Sequence, residues 1–93
     1  MPYSTNTIYA VKKVKALSLG NALGRLAVDL DFSVSRISKA TGASRQTVYN
    51  WMSGNDVLAP YRPSVEKLIN ILKTARTAEE AWRTVCQEFN LQP

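Results

Sequence analysis

Ninety-three residues, 45% of them hydrophobic, suffice for one compact domain hiding roughly 60 to 65% of its extended-chain surface, and two independent domains are not expected. No apolar run approaches the roughly 20 residues of a membrane-spanning helix, and a chain without histidine and with Cys86 as its single cysteine lacks the material for a disulfide framework, a multi-cysteine zinc site or most general acid–base chemistry. The formal charge of +5 favours anionic partners, and all of its excess lies in residues 1–54, with seven basic and two acidic residues against five of each in 55–93.

The opening Met1-Pro2-Tyr3-Ser4-Thr5-Asn6-Thr7 is polar and reads as a loose arm. Residues 8–15 are ambiguous: Ile8, Val11, Val14 and Lys15 sit at helical spacing, while their β-branched members weaken a helix. Lys12, Lys13 and Lys15 there are either phosphate contacts or a solvated charge run. From Leu19 the pattern sharpens, because Leu19, Ala22, Leu23, Leu26, Ala27 and Leu30 recur every three or four residues and predict a first helix. Gly20 and Gly24 each lower its propensity by roughly 1 kcal/mol relative to alanine, a cost offset if they allow close helix packing.

Ser33 is a hydroxyl cap for a second helix over Val34 to Thr41, with Val34, Ile37 and Thr41 facing inward, and Gly42 supplies the backbone freedom for a tight exit. Ser44 caps a third helix over 44–52, which opens Arg45-Gln46-Thr47 and turns Val48 and Trp51 inward before Gly54 ends it. Two short helices joined by so few residues, the second rich in long polar side chains, fit a helix-turn-helix. Asn55 to Arg62 reads as a loop, and Pro63 opens a fourth helix on which Val65, Leu68, Ile69 and Leu72 form a core stripe. Thr77 and Glu80 suit a capping box for a fifth helix carrying Ala81, Trp82, Val85, Cys86 and Phe89. The expected fold is all-α, a compact five-helix domain with a central helix-turn-helix. Its parts are an N-terminal arm or partly ordered segment over 1–15, the helix-turn-helix domain over 16–75, and a C-terminal helix over 76–93.

The stretch Ser33 to Gly54, SVSRISKATGASRQTVYNWMSG, resembles the phage repressor and Cro type of helix-turn-helix, with Ile37, Gly42, Ala43, Val48 and Trp51 at the family's packing positions. Pro63-Ser64-Val65-Glu66-Lys67-Leu68 resembles the helix that follows, so the likeness spans about residues 18–74. It implies that the front of the third helix enters the major groove of DNA, which assigns base reading to Arg45, Gln46, Tyr49 and Asn50. Val34 stands where the family commonly has a glutamine that helps organise phosphate and base contacts.

Side-chain chemistry points the same way. Arginine bridges guanine O6 and N7, glutamine and asparagine pair with adenine N6 and N7, and tyrosine packs on a thymine methyl or sugar. Ser33, Arg36, Lys39, Ser44, Thr47 and Asn55 are the phosphate-contact candidates that would set the reader's register. Cys86, set among apolar positions, reads as a buried structural thiol, and Glu79 and Glu80 as first-turn acids.

The expectation is therefore a sequence-specific double-stranded DNA-binding transcriptional regulator, not an enzyme, with no cofactor, no metal and no membrane partner. The alternative is a protein-binding adaptor or an inhibitor of a host regulator built on the same scaffold. Homodimerisation is expected on DNA. Trp82, Val85 and Phe89 form either the partner surface or the lid of a monomer's own core. Without a secretion pattern at its start, the chain is expected in the cytoplasm, the host cytoplasm if it is phage-encoded.

Overall fold

The computed structural model describes residues 3–14 and 18–92, so the expectation placed on Lys15 falls outside the described residues. It is all-helical: α1 (Thr5–Lys12), α2 (Leu19–Leu30), α3 (Val34–Thr41), α4 (Arg45–Met52), α5 (Arg62–Thr74) and α6 (Ala78–Glu88), with a short 3-10 turn at Ala59–Tyr61. No helix among the described residues is long and apolar enough to cross a membrane.

Five of the six helices start the same way. Ser4, Ser18, Ser33, Ser44 and Thr77 are extended residues whose side-chain oxygen accepts from the backbone N–H three residues on, filling one of the donors that a helix start leaves open. The sixth, α5, has no side-chain cap, and Pro63 in its first turn has no N–H to satisfy. The expected loop from Asn55 to Arg62 is thus partly helical, and α5 begins one residue before Pro63.

Helix α2 is the hub, packing against α4 on one side and α5 on another. Its two glycines explain the first contact. A Cβ on Gly20 would lie 2.6 Å from both the Cβ and the carbonyl oxygen of Trp51, and one on Gly24 would lie 2.8 Å from the Cβ of Met52. Only bare backbone lets α4 come this close. Leu23, Ala27, Phe32, Ile37, Val48, Trp51, Met52, Val65, Leu68 and Val85 fill the space between the helices.

Among the described residues there are six α-helices where five were expected, and the additional one is α1. Described residues of the expected loose arm and of the ambiguous stretch 8–15 contribute to the core or to α1. Tyr3 is buried and donates its phenol to the carbonyl of Phe32, Ser4 caps α1, and Val11 is fully buried. The end of α1 is held by a polar pair on α2. Asn21, the one buried polar side chain among the described residues, donates from Nδ2 to the carbonyls of Val11 at 3.0 Å and Met52 at 2.8 Å. Its Oδ1 accepts from Arg25 Nε at 2.9 Å, while Arg25 Nη2 donates to the carbonyls of Lys12 and Val14. Carbonyls that two helix ends leave open are thereby bonded, and no buried side-chain N or O among the described residues lacks a partner.

At the other end of the chain, α6 is absorbed into the same core. Val85 is fully buried, Trp82 is buried with its ring 6.2 Å from that of Phe32, and Phe89 is half-buried under the Lys67 ammonium. Trp82 and Val85 thus lie within the protein's own core, the second of the two roles expected for them, with little or no surface left to meet a second copy.

Candidate nucleic-acid interface

The two-helix unit α3–α4 is built by its turn. Gly42 adopts φ 80°, a left-handed conformation that costs glycine nothing, and its N–H reaches the carbonyl of Ser38. Ala43 is buried, its N–H donates to Thr41 Oγ1 at 3.2 Å, and its carbonyl accepts from Ser38 Oγ at 2.5 Å. Ser44 then starts α4 and also bonds Thr47 Oγ1 at 2.9 Å. Side chains from both helices hold the turn between them, so the direction of α4 relative to α3 is set.

On α4 the two faces separate cleanly. Val48, Trp51 and Met52 are buried, whereas Arg45, Gln46, Tyr49 and Asn50 are exposed together, as positions i, i+1, i+4 and i+5 must be on a helix of 3.6 residues per turn. All four expected base readers thus share one solvent face. Arg45 Nη2 donates to Ser35 Oγ at 3.2 Å, tying the start of α4 to the start of α3. Gln46 Nε2 donates to Asn50 Oδ1 at 3.0 Å. Tyr49, 36% exposed, sits at the margin of this face, close enough to the buried Tyr3 to influence its ionisation.

The expected phosphate contacts divide. Ser33 and Ser44 are the caps of α3 and α4, Thr47 lies in the first turn of α4, and Lys39 is exposed with no ion-pair partner among the described residues. Asn55 is exposed just beyond α4, with its N–H on the carbonyl of Asn50. Arg36 is placed differently. Its guanidinium lies 5.2 Å from the centre of the Trp82 ring and donates to Glu79 Oε1 at 2.9 Å, so it latches α3 onto α6. The apolar side chain that receives it is 46 residues away, and spacing along α3 carried no hint of that contact.

Electrostatics single out the same unit. Residues 33–54 contain Arg36, Lys39 and Arg45 and no carboxylate. With Arg36 paired to Glu79, Lys39 and Arg45 are the cations this unit offers to solvent, and Arg45 shares its face of α4 with the amides of Gln46 and Asn50. Such a face can exchange donors and acceptors with base edges and attract phosphate at its rim.

Sequence reasoning missed Ser35, Tyr3 and the Asn21–Arg25 pair. For the last there was a signal, two polar residues four apart on a helix that is otherwise apolar there. Elsewhere, Cys86 is buried and free beside an open groove of about 460 Å³ at the end of α6, and no three metal-binding side chains cluster among the described residues. No family model, curated protein or solved structure matches this chain.

Proposed function

We propose that the chain is a sequence-specific double-stranded DNA-binding transcriptional regulator, a binding protein and not an enzyme, in which α3 and α4 act as a helix-turn-helix and α4 reads the major groove. The observation that carries this reading is the division of α4 into one face locked on α2 and an opposite face displaying Arg45, Gln46, Tyr49 and Asn50 in the open. A helix with one such solvent face fits the roughly 12 Å width of the groove. The helix starts at Ser33 and Ser44, with Lys39 nearby, supply phosphate contacts that position it.

A helix of eight residues spans about 12 Å and covers few base pairs. Two copies on an inverted repeat with half-sites about 34 to 36 Å apart would lengthen the site. Because Trp82 and Val85 are buried, pairing would have to use another part of the chain.

The test is selection of bound duplexes from a random library at several salt concentrations. Enrichment of a defined sequence, with affinity falling linearly in log salt, is the expected outcome. Failure to enrich any sequence would sink the reading and favour a protein-binding adaptor on the same scaffold.

A further inference from the structure

Helix α1 lies outside the stretch that resembles a known family, and three contacts seat it along α4. Asn21 Nδ2 donates to the carbonyls of Val11 and Met52 together, and Val14 Cγ1 lies 3.4 Å from where a Cβ on Gly54 would stand. At its start, Tyr3 is near enough to Tyr49 to feel its charge. The helix therefore borders α4 on the Tyr49 side of its outer face. Opposite the buried Val11, α1 and its cap turn Thr5, Tyr9 and Lys13 outward, four residues apart and so stacked on one face. Tyr9 is 69% exposed, and the Lys13 ammonium stands 5.7 Å from the centre of its ring. Lys12 answers Asp29, whereas Lys13 has no ion-pair partner among the described residues. Residues 1–28 hold Lys12, Lys13, Lys15 and Arg25 and no carboxylate, so the outward face of α1 suits an anion.

The dimensions of duplex DNA say which anion. An α-helix with its side chains is about 10 to 12 Å across, and the major groove is roughly 12 Å wide. With α4 in the groove there is no room for α1 beside it, and a helix seated on the flank of α4 meets the groove wall, which is sugar and phosphate. Building on the DNA-binding reading above, we propose that α1 is a second DNA-contacting element, in which Lys13 pairs with a backbone phosphate and Tyr9 packs on the adjoining sugar. The Tyr9 ring also holds the ammonium in place by cation–π attraction. Such contacts fix the position of the protein on the duplex and carry no base preference, so α1 adds affinity and α4 keeps the selectivity.

The experiment titrates the full chain onto the duplex selected from a random library and onto a random duplex, at salt concentrations from about 0.05 to 0.3 M. Removing one phosphate contact lowers the slope of log affinity against log salt by about 0.9, which over the decade from 1 M to 0.1 M salt is a factor of roughly 8. Lys13→Ala should therefore bind both duplexes roughly 8-fold more weakly at 0.1 M salt, with the slope reduced by about 0.9. Tyr9→Ala should weaken both duplexes by a common factor and keep the slope, because it removes packing and no charge. Lys73→Ala, at an exposed lysine in the last turn of α5, should change neither. All three side chains are exposed, so far-ultraviolet circular dichroism should read the same for every variant. An unchanged slope in Lys13→Ala, or a loss confined to the selected duplex, would overturn the phosphate contact and leave the reading of α4 standing. Unchanged affinity in Tyr9→Ala would overturn the sugar contact. Failure of the wild type to enrich any duplex would overturn the DNA reading and this proposal with it.

Discussion

The inner and outer faces of α4 share eight residues and follow opposite rules. On the inner face Trp51 and Met52 rest on the backbone of Gly20 and Gly24, with no room for even a methyl group between the helices. On the outer face Arg45, Gln46 and Asn50 bond only to polar side chains, and Tyr49 stands at the edge. The difference separates two properties within one helix. Changes on the inner face should cost the fold, and changes on the outer face should cost recognition while the fold persists.

The largest break should come from Trp51→Ala. Removing a buried indole costs roughly 3 to 5 kcal/mol, a large fraction of the roughly 5 to 15 kcal/mol that holds a domain folded. Urea unfolding followed by helicity should show a midpoint shifted far down, and a shift no larger than that of a surface substitution would contradict the packing described for the inner face. On the outer face, Arg45→Ala should remove roughly 1 to 3 kcal/mol of discrimination between the selected and a random duplex and change folding stability by at most about 0.5 kcal/mol. Equal losses on both duplexes would deny Arg45 a base contact.

Gly20→Ala tests the close approach of α2 to α4. Alanine gains about 1 kcal/mol in helix propensity. Its Cβ, however, meets the Cβ and carbonyl of Trp51, which cannot rotate away as a side-chain tip would. Overpacking should dominate, for a net loss of about 1 to 2 kcal/mol in the same urea assay, and a gain in stability would mean that α2 and α4 separate at little cost.

The smallest effect concerns the margin between the faces. Burial, then the neighbouring Tyr49, then Asp31 push the Tyr3 phenol well above its ordinary value of 10.0. In the unfolded chain that phenol ionises near 10.0, while in the folded chain it stays protonated. The stability it contributes is therefore whole below pH 10 and declines as pH rises above it. Tyr3→Phe should lose about 1 kcal/mol near neutrality with its bond to the Phe32 carbonyl, and show a flatter decline above pH 10 than the wild type. Unfolding midpoints compared between about pH 8 and 11 would check it. Parallel alkaline limbs in the two proteins would deny Tyr3 this role.

Local order was what the amino-acid sequence by itself determined. The stripe from Leu19 to Leu30, the hydroxyls at Ser33, Ser44 and Thr77, the glycine at 42 and the apolar positions 48 and 51 act within one or two helical turns, so spacing alone reveals them. The exposure of Arg45, Gln46, Tyr49 and Asn50 follows from the same periodicity once the opposite face is buried. Only the tertiary structure decided the rest. Residues 5–12 have weak helical propensity, and they are helical here in a setting where Tyr3 and Val11 meet a core built from α2 and its neighbours, with Asn21 and Arg25 holding the helix end. Arg36 could serve solvent, phosphate or protein, and it is Glu79 and Trp82, brought to α3 by the folding of α6, that occupy it. Periodicity along a helix says which residues share a face. What that face meets depends on residues 20 to 50 positions away, and their approach is set by the packing of the whole chain.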